Sequence, residues 1–307
     1  RLLAELISCQ ANIERVMDLL EQKPNVVDRT DVLRKYGDAF SPNKGNWEKI
    51  QGDIVFEDVS FMYPDGKEYV LEHFNLHVPA GMNVAIVGET GAGKSTLVNL
   101  VGRFFEPTKG RILIDGVDYR ERSQLWLHSQ IGYVLQNPHL FSGTVRENIR
   151  YGRLDASDEE IEEAARNVSA DMVVAKMEKG YDSDVGESGG LLSTGEKQLI
   201  SFARAVLANP AIFVLDEATS SIDTQTEKLI QDATNHLLKG HTSFVIAHRL
   251  STIRQADLIL VVKDGKIIER GSHPELLEQK GYYYELYSRQ FEEEEAMKVF
   301  AGATFAG

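Results

Sequence analysis

The sequence predicts an α/β domain built on a mostly parallel β-sheet. Two observations carry this prediction. Short apolar segments of strand length recur along the chain, at 84–87, 131–135, 211–215, 242–246 and 258–262. Helical patterns lie between them, at about 94–104, 158–178, 195–208 and 224–239. Strands that alternate with helices are typical of a parallel sheet with helices on its faces.

Two further segments complete this architecture. Apolar residues alternate mostly with polar ones from residue 53 to residue 61, which predicts a half-buried strand in an antiparallel N-terminal β region. Residues 137–200 contain helical patterns but no clear strand. We therefore expect a helical subdomain, over about 137–204, that is inserted into the parallel sheet.

Patterns near the two ends of the sequence predict additional segments. Residues 1–23 have apolar residues at helical spacing, and Pro24 ends the pattern. Either this helix packs on its own domain, or it is the tail of a longer helix that begins upstream. Residues 24–50 are polar and contain Pro and Gly, which predicts a linker. The predicted organisation is thus a helical extension at 1–23, a linker at 24–50, a main domain at 51–290 and an acidic tail at 291–307.

The composition limits the classes of function. Apolar residues make up 42% of the chain and charged residues 26%, which is the profile of a folded globular protein. The formal net charge of −14 disfavours a nucleic-acid-binding surface, because phosphate backbones are bound mainly by Lys and Arg. The single cysteine, Cys9, cannot form a disulfide within the chain, so a reducing compartment is expected.

Hydropathy adds one further expectation. No segment has the roughly 18–20 consecutive apolar residues that span a bilayer. The chain begins at Arg1 rather than Met, which suggests a piece of a longer protein, so a membrane protein stays among the expectations.

A glycine-rich segment predicts a phosphate-binding site. Residues 88–95 match the pattern G-x-x-x-x-G-K-[ST] and lie between a predicted strand and a predicted helix. In such a loop, backbone N–H groups surround phosphate oxygens, the lysine reaches the β- and γ-phosphates, and the serine ligates Mg²⁺. A nucleoside triphosphate and Mg²⁺ are therefore expected to bind. The predicted nucleotide-binding residues are Gly88, Glu89, Thr90, Gly91, Ala92, Gly93, Lys94, Ser95 and Thr96.

A second segment predicts a metal ligand and a general base. The strand at 211–215 places Asp216 at its C-terminal end, the edge at which ligands bind in α/β sheets. A carboxylate at this position suits Mg²⁺, and Glu217 beside it could polarise an attacking water. Together, the glycine-rich loop and these two acids are typical of a P-loop NTPase.

Other segments resemble the ABC ATPase family in the order in which that family has them. Residues 192–196, Leu-Ser-Thr-Gly-Glu, resemble the family signature Leu-Ser-Gly-Gly-Gln. The remaining matches are Tyr63 to the aromatic that stacks on adenine, Gln136 to the Q-loop glutamine, residues 221–223 to the D-loop, and His248 to the switch histidine. The resemblance covers about 51–290 and implies the ABC ATPase fold, with ATP and Mg²⁺ as cofactors.

The resemblance also implies roles for these residues. It implies that Glu217, His248 and Gln136 serve hydrolysis, and that Ser95, Gln136 and Asp216 hold Mg²⁺. It adds Tyr63, Ser193, Gly195 and Asp223 to the nucleotide-binding residues.

Three segments resemble exporter subunits of this family. Residues 137–149 resemble the stretch that exporters place against the coupling helices of their membrane domain. Residues 184–188 resemble the exporter X-loop, and residues 1–23 resemble the cytoplasmic extension of the last membrane helix. The resemblance implies an ATPase that powers export, with transmembrane domains as partners, on the cytoplasmic face of the cell membrane.

The signature departs from the family pattern. In the family, two ATPase domains enclose two ATP molecules, and the signature of one faces the phosphate loop of the other. Thr194 places a side chain where the family has glycine, and Glu196 adds a negative charge beside a polyanion. A heterodimer, in which a partner supplies a regular signature, is favoured over a homodimer that tolerates Thr194 and Glu196.

Three other readings remain open. A soluble ABC ATPase that acts as a mechanical switch usually carries two such domains or a long coiled coil, and this sequence shows one domain without sustained heptads. The intact Glu217 and His248 count against a noncatalytic nucleotide-binding module. An importer-type ATPase subunit is disfavoured by the predicted helix and linker that precede the domain.

Overall fold

The computed structural model describes residues 2–22, 24–217 and 224–292 and contains two β-sheets in that part of the chain. The first sheet has the strand order β2-β1-β4-β5 and is antiparallel. The second has the order β10-β9-β3-β8-β7-β6, and its inner pairs are parallel. The strands are β1 (Ile54–Phe61), β2 (Leu71–Val78), β3 (Asn83–Val87), β4 (Lys109–Ile114), β5 (Val117–Asp118), β6 (Ile131–Val134), β7 (Ile212–Asp216), β8 (Thr242–Ile246), β9 (Leu258–Lys263) and β10 (Lys266–Gly271).

Helices cover the parallel sheet and fill the segment between β6 and β7. The helices are α1 (Leu2–Glu21), α2 (Thr30–Tyr36), α3 (Ser95–Val101), α4 (Gln124–Ser129), α5 (Val145–Arg150), α6 (Asp158–Asn167), α7 (Asp171–Val174), α8 (Thr194–Ala208), α9 (Thr224–Leu238), α10 (Leu250–Gln255), α11 (His273–Gln279) and α12 (282–292). The predicted fold class, a mostly parallel sheet with an antiparallel β region and an inserted helical segment, is confirmed.

The register of the parallel sheet determines where a ligand site forms. Ile246 at the end of β8 pairs with Ile86 of β3 on one side and with Asp216 of β7 on the other. The loops that leave these three strands therefore begin side by side at the carboxyl edge of the sheet. This edge is where α/β sheets bind ligands. The residues that follow these strands are 88–95, 217 and 247–249.

The segment at 24–50 packs on the antiparallel sheet and its neighbours. Val32 and Tyr36 of α2 are buried in the same hydrophobic cluster as the strands of that sheet. The buried guanidinium of Arg103 lies 2.8 Å from Asp28, and the indole N–H of Trp126 donates to the carbonyl oxygen of Glu48 at 2.8 Å. Residues 24–50 are thus held in place, while the domain boundaries themselves stay predictions.

Helix α1 differs from the rest of the fold in its exposure. Every side chain from residue 9 to residue 21 is exposed, including those of Ile13, Val16, Leu19 and Leu20. None of the helices in the described part of the chain combines the length and the hydropathy that a membrane span requires.

Candidate nucleotide site

The phosphate loop (residues 88–95) connects β3 to α3 and depends on glycine at two positions. A Cβ atom on Gly88 would lie 2.3 Å from the backbone oxygen of Val262, so no larger residue fits there. Gly93 has φ +96°, and a Cβ there would lie 3.0 Å from the Cα of Gly265. The turn between β9 and β10 packs against the loop, because Gly265 N–H donates to the Ala92 carbonyl at 2.7 Å. The glycines therefore let the loop curl tightly beneath this turn.

The side chain of Lys94 folds back onto the first residues of this loop. Its Nζ donates to the carbonyl oxygens of Gly88 at 2.9 Å and Glu89 at 3.0 Å. Burial lowers the pKa of Lys94, and the negative charge of Asp216 opposes this shift. Burial likewise raises the pKa of Asp216, and the charge of Lys94 opposes it. The ammonium group and the carboxylate thus interact electrostatically at the carboxyl edge of the sheet.

Tyr63 lies beside this loop although it follows β1, a strand of the other sheet. Its hydroxyl is 2.9 Å from Oγ1 of Thr96 in the first turn of α3. Its ring packs edge-on against Phe61, with centroids 4.8 Å apart, and against Phe105, with centroids 5.1 Å apart. The structure thus brings the predicted adenine-stacking residue to the phosphate loop, and the stacking itself stays a prediction.

Glu217 is buried, and three donors hold its carboxylate. Oε2 accepts the backbone N–H of His248 at 2.8 Å and of Arg249 at 3.0 Å. Oε1 accepts the hydroxyl of Thr252 on α10 at 2.5 Å. Burial raises the pKa of Glu217, and these hydrogen bonds oppose the rise. The carboxylate is therefore fixed to the switch loop (residues 247–249), which follows β8.

His248 has a half-buried imidazole that is affected by the charge of Lys94. Burial and the positive charge of Lys94 both lower the pKa of His248. The neutral imidazole is therefore the dominant form at neutral pH, and it can both donate and accept a hydrogen bond. Gln136 lies two residues beyond the end of β6, at the same edge of the sheet. Asp223, the predicted D-loop residue, lies outside the described residues.

The predicted Mg²⁺ ligands form a set of oxygen donors. Ser95 is exposed at the first position of α3, and Asp216 is half-buried at the end of β7. Hydroxyl, amide and carboxylate oxygens are the ligands that Mg²⁺ takes together with substrate phosphates. The desolvated carboxylate of Asp216 would gain from a nearby cation. Ser95, Asp216 and Gln136 therefore suit this ion.

The signature segment caps α8. The Oγ of Ser193 accepts the N–H of Glu196 at 3.3 Å, and the Glu196 carboxylate accepts the N–H of Ser193 at 2.9 Å. This reciprocal pair is a capping box. Thr194 is exposed, whereas Gly195 is buried. The comparison with the family signature missed this structural role of Glu196. The pattern Ser-x-x-Glu before an apolar helix is the sequence signal of a capping box and could have revealed it.

An exposed apolar patch lies beside the ends of β6 and α5. It consists of Leu135, Phe141 and Tyr151, with 56%, 45% and 52% exposure respectively. Phe141 and Tyr151 pack together with ring centroids 4.6 Å apart. A cavity of about 440 Å³ next to the patch is lined by Leu135 and Tyr151.

The backbone of Phe141 is fixed by a buried asparagine. The side chain of Asn148 accepts the N–H of Phe141 at 2.9 Å and donates to its carbonyl oxygen at 2.8 Å. Arg204 of α8 donates to the carbonyl oxygen of Asn148 at 2.9 Å and lies over the Phe141 ring at 5.6 Å. These contacts therefore hold Phe141 in place within the patch, although its ring is exposed.

Comparison with known proteins identifies the class that this fold and site define. Residues 71–220 match the ABC transporter family. An uncharacterized ABC transporter ATP-binding protein of Bacillus subtilis, YfiC, is 49% identical over 288 residues, which cover 94% of this chain and 45% of that protein. The fatty acid ABC transporter ATP-binding/permease protein of Mycobacterium bovis is 49% identical over 276 residues, which cover 90% of this chain and 41% of that protein.

A solved structure indicates the same class of protein as these relatives. The structure of a bacterial Atm1-family ABC exporter with ATP bound matches with a TM-score of 0.76 and 37% identity, over 92% of this chain and 47% of that chain. This chain therefore carries the ATP-binding, ATP-hydrolysing domain of the ABC transporter family. The chain spans less than half the length of these two relatives. The predictions of the family, of the fold and of an ATPase are confirmed.

Proposed function

We propose that this chain hydrolyses Mg²⁺-bound ATP to power export across a membrane by a larger transporter. The observation that carries the proposal is the fixed position of Glu217 against the switch loop, at the same edge of the sheet as the phosphate loop. In this proposal, Lys94 binds the β- and γ-phosphates, and the carboxylate of Glu217 takes a proton from the attacking water. The neutral imidazole of His248 hydrogen-bonds to the γ-phosphate.

The other predicted residues complete the nucleotide site. Ser95, Gln136 and Asp216 hold Mg²⁺, which neutralises charge on the phosphates when it is bound. Tyr63 stacks on adenine, and the backbone N–H groups of the phosphate loop contact the phosphates. Ser193, Gly195 and Asp223 act at the surface between two ATPase domains.

The apolar patch supports coupling to a membrane domain. Exposed patches of apolar side chains are typical of protein interfaces. We infer that this patch binds the coupling helices of the transmembrane domains, as the resemblance of residues 137–149 implies. The exposed apolar side chains of α1 support its continuation from a membrane helix. We infer from these features that the chain lies on the cytoplasmic face of the membrane.

The altered signature supports a heterodimer over a homodimer. Thr194 is exposed at the start of α8, so its side chain would lie between the two domains of a closed dimer. Glu196 brings a carboxylate to the same helix end. A partner with a regular signature would complete the site formed by Lys94 and Glu217, and the altered signature would serve a second, weaker site.

The experiment that tests this function is ATP turnover of the chain, with Mg²⁺, over a wide range of protein concentrations. ATP hydrolysis that depends on Mg²⁺ and is lost in Lys94→Ala supports the proposal. Clear ATP binding without turnover of the chain alone, followed by turnover when a partner domain with a regular signature is added, supports the heterodimer. A total rate that rises with the square of concentration for the chain alone contradicts the heterodimer. No ATP binding contradicts the proposed function itself.

A further inference from the structure

The C-terminal helix α12 contacts both loops of the nucleotide site. Nε2 of Gln290 donates a hydrogen bond to the backbone carbonyl oxygen of His248 in the switch loop. Arg289 forms an ion pair with Glu89 of the phosphate loop at 3.1 Å. A cavity of about 390 Å³ separates the helix from the two loops and is lined by residues of all three. The helix therefore reaches these loops through a small number of specific contacts.

The helix is itself firmly anchored. The carboxylate of Glu269 on β10 accepts the N–H groups of Tyr282 at 2.7 Å and Tyr283 at 2.9 Å, which caps the first turn of α12. The buried Tyr283 has its hydroxyl 2.8 Å from Nδ1 of His273. Tyr287 accepts a hydrogen bond from Arg254 of α10 at 2.6 Å. The position of Gln290 is thus determined by contacts on several sides of α12.

The two contacts with the loops differ in strength. The Arg289–Glu89 pair has side chains that are 59% and 56% exposed, and exposed ion pairs contribute little. Gln290 is only partly exposed, and its target is the peptide of the switch histidine. The N–H of that residue is bonded to Glu217. The two peptide groups on either side of the His248 Cα are therefore held by hydrogen bonds, one to Glu217 and the other to Gln290.

We propose that Gln290 is a positioning residue for His248, which it holds by its carbonyl group so that the imidazole keeps its orientation toward the phosphate loop. This inference rests on the proposed role of His248 at the γ-phosphate. Gln290 does not touch the nucleotide in this proposal. Its loss therefore affects the chemical step more than nucleotide binding.

The test compares Gln290→Met, Gln290→Lys and Glu285→Gln with the wild-type chain. Methionine keeps the length of the side chain but cannot donate, whereas the lysine ammonium can donate to the same carbonyl oxygen. Glu285 is an exposed residue of the same helix and serves as the control. We expect kcat to fall about fivefold in Gln290→Met, as for the loss of one hydrogen bond. The KM for ATP should change less than about twofold, because uniform binding is untouched.

The other two variants test whether the effect depends on hydrogen-bond donation at position 290. Gln290→Lys should recover most of the lost kcat, and Glu285→Gln should match the wild type. Equal kcat values for Gln290→Met and Glu285→Gln would overturn the proposal. A loss in Gln290→Met that Gln290→Lys does not restore would also overturn it, because it would indicate a packing role.

Amide hydrogen exchange separates this inference from the proposed function. In the wild type, the N–H groups of His248 and Arg249 are hydrogen-bonded to Glu217, so we expect slow exchange over 247–249. Gln290→Met should accelerate exchange there, and Glu285→Gln should not. If the wild-type chain fails to hydrolyse ATP with any partner, the proposed function is wrong. In that case, amide hydrogen exchange alone tests whether Gln290 positions His248. Unchanged exchange over 247–249 in Gln290→Met refutes this role.

Discussion

The hydroxyl group of Thr252 donates a hydrogen bond to Oε1 of Glu217, with 2.5 Å between the two oxygens. Because Thr252 lies in α10 and Glu217 follows β7, this bond links the helix after the switch loop to the proposed general base. Burial raises the pKa of Glu217, and the Thr252 hydrogen bond is the strongest of the interactions that lower it. Thr252 therefore helps to keep the carboxylate ionised.

The pH dependence of turnover should report this bond. Glu217 acts as a carboxylate, so turnover is lost as the pH falls through its pKa. Thr252→Val removes a donor and should raise that pKa further, which moves the acid limb of kcat to higher pH. Thr252→Ser keeps a hydroxyl and should retain the wild-type limb. Coincident acid limbs for Thr252→Val and the wild type would refute this assignment.

The capping box of α8 leads to a prediction about stability. Glu196→Ala removes the acceptor for the Ser193 N–H and should lower the free energy of unfolding by about 1 kcal/mol. Glu196→Gln keeps an oxygen that can accept this N–H and should cost much less. Urea unfolding of the three proteins measures the difference. Equal losses in both variants would mean that the charge of Glu196, rather than its hydrogen bond, stabilises the helix start.

The same segment provides a test of the heterodimer. The double substitution Thr194→Gly with Glu196→Gln restores the family signature while preserving the capping interaction. If the altered signature limits a homodimer, this variant should raise the turnover of the chain alone several-fold. Turnover should then rise with the square of concentration at low concentration. An unchanged rate in the double variant would show that Thr194 and Glu196 do not limit hydrolysis.

The buried Arg103 links the segment at 24–50 to the domain. Its guanidinium, 1% exposed, pairs with Asp28 and Glu106, each at 2.8 Å. Arg103→Met should lower the free energy of unfolding by about 3 kcal/mol, because it leaves two carboxylates without their partner. Arg111→Met is the control: its ion pair with Glu57 is exposed, and its loss should cost less than about 1 kcal/mol. Chemical unfolding measures both variants. Similar losses in the free energy of unfolding for Arg103→Met and Arg111→Met would contradict the role of Arg103.

Much of the site could be predicted from the sequence because its signals are local. The phosphate loop requires glycine at fixed positions, and a buried strand that ends in Asp216 and Glu217 is recognisable without a fold. The strand and helix patterns likewise depend on the spacing of apolar residues. The observed elements lie within a few residues of most predicted ones, although α6 and α7 divide the stretch predicted as one helix at 158–178.

The contacts between loops could not be predicted in this way. Thr252 and Gln290 are 35 and 42 residues from the groups that they contact, and nothing in the local pattern marks either residue. Arg103 resembles a surface arginine in the sequence, yet it is buried against Asp28, 75 residues earlier. These contacts result from the register of the parallel sheet and from the packing of α10 and α12.

Glu217→Gln tests the central claim most directly. The amide oxygen can accept the N–H groups of His248 and Arg249 while the NH₂ group faces Thr252, so the fold of the switch loop should be preserved. The substitution should reduce ATP turnover with Mg²⁺ by at least about a hundredfold, the contribution of a general base, and leave ATP binding unchanged. A decrease of only a few-fold, under conditions where the wild type turns over, would contradict the account of Glu217 as the base.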